Sequence, residues 1–154
     1  MAGRGRTYDV LGILMQFHAF PDDVQGKYCL VEAVVPSGCG APPNHHAGET
    51  ECFYVLDGRV AFEIDGAQRD AGPGEYVAVP DGALHAFRAT GDAPARMLIL
   101  NAPGRMHEAF FTGVGQPLPE GQKALPEPRE PDFAHVMETA AAVGMTIVPP
   151  QHAA

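Results

Sequence analysis

Three side chains in the middle of the chain have the chemistry of metal ligands: His46, Glu51 and His85. Two imidazoles and a carboxylate suit a divalent transition metal and leave positions open for water or substrate. Side chains alternate along extended backbone, so residues 44 and 46 share one face and His45 takes the other. Asn44 would then add an amide oxygen, a weaker ligand than imidazole. His45 is expected outside or at the rim, unless a local bulge turns it inward as an alternative ligand. Phe53 and Val55 follow Glu51 on its own face. With Phe62 and Phe87 they are predicted to line an apolar cavity around the ligands, a setting for a planar aromatic molecule. Without a metal, the same polar groups would form a hydrogen-bonded patch, and burying two His and a Glu would require other partners.

These residues lie among short apolar runs with β-forming composition. Residues 10–17, 28–35, 51–56, 60–64, 76–79, 84–88 and 95–101 read as strands. Asp57-Gly58 and Asp65-Gly66 are hairpin turn signals between them. The chain has 18 Gly and 15 Pro, spread between these runs as in a turn-rich β protein. The pattern predicts an all-β sandwich or small barrel. Beyond residue 112 the character changes. Residues 117–131 hold five prolines and are expected to be a surface arm. Phe133, Val136, Met137, Ala140 and Ala141 then fall at helical spacing and Gly144 ends the run, predicting a helix over 131–143. Its apolar face must pack on the barrel or on a second subunit. The expected organisation is a lead-in at 1–9, a barrel at 10–111 and an arm with one helix at 112–154.

The 154 residues are enough for one domain with a real core. A net charge of -9 argues against nucleic acid and against an anionic membrane surface. Cys29, Cys39 and Cys52 form no Cys-x-x-Cys pair, and their odd number points to a reducing compartment. Neither a signal peptide nor a membrane span is read from the N-terminal run, so the cytoplasm is the expected location.

The spacing of the candidate ligands also carries a resemblance. Gly38, His46, Glu51 and Gly58 fit Gly-x5-His-x-His-x4-Glu-x6-Gly, with Asn44 where the first His is expected. Gly74, Pro80, Gly82 and His85 fit Gly-x5-Pro-x-Gly-x2-His-x3-Asn, with Ala89 in place of the Asn. The chain therefore resembles the cupins, and its tail resembles small bacterial cupins of the quercetinase-like kind. The resemblance implies a double-stranded β-helix (jelly-roll) barrel with a C-terminal extension carrying one short α-helix. It implies one divalent metal ion (Fe, Mn, Ni, Zn or Co), with Glu51 as ligand or as catalytic base. It also implies a Pro-Gly stretch that places His107 near the barrel mouth, with Phe110 and Phe111 packing as core or lid. The leading expectation is a dioxygenase acting on a small aromatic or enolisable oxygenated substrate. A non-catalytic ligand-binding or sensing barrel is a second reading, and a non-redox isomerase or cyclase a third. Arg88 is expected to point away from His85, which disfavours a phosphorylated sugar. A homodimer is expected, because edge strands and the C-terminal arm need cover.

Overall fold

Alternation of buried and more exposed residues along most of the strands produces two sheets that face each other across an apolar core. The computed structural model describes residues 4–149. Its strands are β1 (Thr7–Val10), β2 (Ile13–Ala19), β3 (Cys29–Val35), β4 (Gly40–His46), β5 (Thr50–Asp57), β6 (Arg59–Ile64), β7 (Ala67–Ala71), β8 (Tyr76–Val79), β9 (His85–Thr90), β10 (Ala95–Ala102), β11 (Gln116–Pro117) and β12 (Met145–Ile147). Two α-helices, α1 (Arg105–Val114) and α2 (Phe133–Val143), and a single 3-10 turn at Pro21–Val24 complete the elements. One sheet has the order β11-β1-β2-β3-β10-β5-β8, the other β12-β4-β9-β6-β7. Every pairing is antiparallel. The result is a jelly roll, as expected.

Val31, Ala33 and Val35 of β3, Phe53 and Val55 of β5, and Met97 and Ile99 of β10 turn inward from the larger sheet and are essentially unexposed. Val60 and Phe62 of β6 and Phe87 of β9 meet them from the smaller sheet. Phe53 packs at 5.0 Å from Phe62 and 5.6 Å from Phe87, ring centre to ring centre, so three aromatic rings fill the barrel.

The structure corrects three expectations. Residues 7–10 are not lead-in: they form β1, buried along its whole length. The single strand expected at 10–17 is two, because Leu11 and Gly12 both take positive φ and reverse the chain. The end of the expected barrel, residues 105–111, is the first part of α1, a helix in addition to the one expected. The face of α2 is only half covered: Val136 and Ala140 are buried, but Phe133 is 72 % exposed and Met137 40 %. Asp132 caps α2 by accepting from the His135 amide, and Gly144 ends it in the left-handed region. In β4, Pro42 and Pro43 lack the amides a ladder needs, and the register against β9 shifts between Ala41 and Asn44.

Candidate metal centre

β4 ends at His46 and β9 begins at His85, both on the smaller sheet and close together because Asn44 lies opposite His85. Glu51 comes from the start of β5, on the larger sheet. The three predicted residues thus meet across the sandwich at one end of the barrel. Glu51 Oε2 lies 3.0 Å from His46 Nε2 and 3.0 Å from His85 Nε2. All three side chains are buried.

A fourth group joins them. β10 runs beside β5, with Asn101 opposite Glu51. Gly104 then turns the chain at φ +94, pressed so closely on Cys29 that a Cβ would lie 2.5 Å from its amide nitrogen. α1 starts there, and its first turn carries His107 inward. His107 Nε2 lies 3.5 Å from Glu51 Oε2, and its ring packs edge-on to His46 at 4.5 Å. The ligand atoms of His46, Glu51 and His107 all lie within 4.8 Å of one another. His107 is therefore inside the cluster, not at the mouth. His107, Phe110, Phe111 and Val114 are buried at i, i+3, i+4 and i+7, a helical signal present in the sequence.

Glu49 is the residue that sequence reasoning missed altogether. Its buried carboxylate accepts from the backbone amides of Gly104 (2.6 Å), Met106 (3.2 Å) and His107 (3.3 Å). It thereby caps a helix whose own N-cap glycine has no side chain. It also accepts from His107 Nδ1 at 2.7 Å. Nothing local in the sequence marks Glu49, since its partners lie more than fifty positions away and are brought to it by the pairing of β5 with β10.

The hydrogen bonds assign the tautomers. His85 Nδ1 faces the Ala83 carbonyl at 2.8 Å, an acceptor only, so Nδ1 carries the hydrogen. His107 Nδ1 carries one toward Glu49 for the same reason. In the neutral rings both Nε2 atoms then present lone pairs to the Glu51 carboxylate. Lone pairs meeting at these distances repel unless a proton or a cation stands between them. His46 Nδ1 is buried without a partner among the described residues. With protons alone, burial disfavours the charge on His107, but hydrogen bonds to Glu49 and Glu51 prevail and raise it to about 9. Burial likewise opposes ionisation of Glu51, but His107, His46 and His85 hold its carboxyl well below the ordinary value. Burial opposes charge on His85 too, and Glu51 nevertheless raises it. Imidazole nitrogens converging on a carboxylate oxygen are equally a donor set for a divalent transition metal, so the residues present fit such an ion.

Asn44 lines the same cavity as Glu51, His85 and His107, and its amide nitrogen donates to the carbonyls of Pro42 (3.0 Å) and His85 (3.3 Å). His45 lies outside the cluster, opposite Thr146 of β12. A cavity of about 980 Å3 opens onto Glu51, His85 and His107. Its wall is largely apolar and includes Phe62, Phe87, Phe110 and Phe111, with the exposed Phe133 and Met137 on its open side. Phe53 and Val55 do not line it. They share the face of Glu51 but sit deeper, where the barrel is filled, so they belong to the core. Arg88 is exposed and is among the residues that line the cavity.

Residues 30–101 match the family model described as "Cupin domain". This part of the chain is similar to cupin domains. Over 128 residues, 83% of the chain, it is 27% identical to quercetin 2,3-dioxygenase of Bacillus subtilis strain 168. The chain spans 37% of that enzyme's length. Among solved structures, the cupin fold is similar to a predicted oxalate decarboxylase from Thermotoga maritima, with a TM-score of 0.59 and 19% identity over 66% of this chain and 98% of that one. It is also similar to the polyketide cyclase RemF from Streptomyces resistomycificus, with a TM-score of 0.56 and 23% identity over 67% of this chain and 80% of that one. These likenesses are likenesses of fold.

Proposed function

We propose that this cupin is a metal-dependent enzyme acting on a small aromatic or enolisable oxygenated substrate, with dioxygenase chemistry. The observation that carries the reading is the convergence of imidazole nitrogens on Glu51 at the polar end of an otherwise apolar cavity. His46, Glu51 and His85 would hold the ion. A divalent metal bound there would supply a Lewis acid that lowers the pKa of a substrate hydroxyl or enol. The chain's own residues do the rest. Phe62 and Phe87 give flat apolar contact for a ring and keep water from it. Glu51, held as a carboxylate, is placed to accept a proton from a substrate oxygen directed at the imidazoles. The sequence relation to a quercetin 2,3-dioxygenase supports an oxygen-dependent reaction.

The test is metal analysis of the purified protein by mass spectrometry, with His46→Ala and His85→Ala beside the wild type, followed by oxygen-electrode assays on flavonols and β-diketones. Near one metal per chain, lost in both variants, with substrate-dependent oxygen uptake supports the reading. Metal without oxygen uptake, and substrate turnover under argon, would favour a non-redox cyclase or isomerase using the same cavity. We propose further that the chain is a homodimer. Tyr54 and Tyr76 face each other across β5 and β8 on the outside of the larger sheet, 42 % and 54 % exposed, and a second copy would cover them.

A further inference from the structure

We infer that His107, delivered by α1 from outside both signature motifs, is a metal ligand that supplies the imidazole missing at position 44, and that Glu49 is its positioning residue. This rests on the metal reading above. Position 44 holds no imidazole, and the amide nitrogen of Asn44 is engaged with two backbone carbonyls. His107 meets the need that this leaves. Its Nε2 faces the same oxygen of Glu51 that His46 and His85 face. Its Nδ1 is held 2.7 Å from Glu49, the arrangement by which carboxylates orient ligating histidines and raise their basicity. Glu49 is itself fixed by three backbone amides at the start of α1, so ring, carboxylate and helix end form one rigid unit. Gly104 makes the unit fit, since any side chain there would strike the backbone of Cys29. A surface histidine paired with a carboxylate would need none of this construction. Both His107 and Glu49 are buried, and the carboxylate contacts the helix that carries the ring.

Copper(II) and cobalt(II) are the probes, added to the full-length chain after chelation. Pulsed electron paramagnetic resonance of the copper form counts coordinated imidazoles through their remote nitrogens. Three in the wild type support the inference, and two overturn it. That readout needs no variant to fold. Cobalt titration of His107→Gln, folded by near-ultraviolet circular dichroism, is expected to show affinity reduced at least 100-fold and altered d–d bands. Glu49→Gln is expected to reduce affinity 10- to 100-fold with the bands retained, because the ring still binds but is less well oriented. If His107→Gln binds cobalt as the wild type does while His46→Ala does not, His107 is no ligand, yet the metal site stands. If the wild type takes up neither ion, the metal reading fails and the inference with it.

Discussion

The clearest physical consequence of the buried cluster is the way stability should depend on pH when no metal is bound. In the chelated protein, His107 titrates near 9 because two carboxylates surround it, whereas in the unfolded chain it returns to about 6.5. The folded state therefore holds that proton more tightly. The resulting stabilisation is complete below about pH 6.5, where both states are protonated, and is lost as pH rises through about 9. That tighter hold on the proton is worth roughly 3 kcal/mol. For a chain of this size that is a fall in Tm of roughly 10 °C. Glu51 and Glu49 act with the opposite sign. Burial works against their charge, but their partners lower both, so their contribution is present above about pH 4.5 and is lost as pH falls through the lowered values. The chelated protein should therefore be most stable between about pH 4.5 and 6.5. Differential scanning calorimetry in chelator at pH 6, 7.5 and 9.5 reads this directly, with His107→Gln expected to flatten the alkaline limb. A Tm that is level or rising from pH 6 to 9.5 would refute the assigned hydrogen bonds. With a fixed free metal concentration the trend should reverse, since metal binding displaces the same protons.

Other expectations follow from the packing. Gly40→Ala would set a Cβ 1.9 Å from the Phe87 carbonyl oxygen, forcing β4 from β9; a loss of about 2–3 kcal/mol in urea unfolding is expected. Phe53→Ala should cost about 3–5 kcal/mol in the same assay yet leave the affinity of an apolar cavity ligand within about 3-fold, because the ring fills the core. Phe133→Ala should show the inverse, with stability changed by less than about 0.5 kcal/mol and ligand affinity by isothermal calorimetry lowered about 5- to 30-fold, since the exposed ring stands on the cavity's open side. Size-exclusion chromatography with light scattering should find a dimer that Tyr54→Asp with Tyr76→Asp dissociates.

What sequence could reveal here was set by range. His46, Glu51 and His85 were legible because their spacing and turn residues are local, and the jelly roll was legible because alternation and Asp-Gly turns are local too. Phe53 and Val55 show the limit of that logic: alternation tells which face a side chain takes, not how deep along the barrel it lies, so core was read as cavity. α1 went unread because residues 105–111 follow directly on a long strand and the first buried position of the helix is a histidine. The partnership of Glu49 with His107 depends on β10 lying beside β5, a tertiary fact that no window of sequence contains. The helical spacing in α2 is legible too, and Val136 and Ala140 on it are buried while Phe133 and Met137 are exposed.

The two helices are also joined. His135 of α2 donates through Nε2 to the Gly113 carbonyl of α1 at 2.8 Å, and Thr139 packs against Gly113. The helix that presents Phe133 and Met137 to an incoming molecule is thus fastened to the helix whose first turn reaches the carboxylate cluster. By linkage, any change that occupancy at the open side makes in the affinity of the buried end is reciprocal.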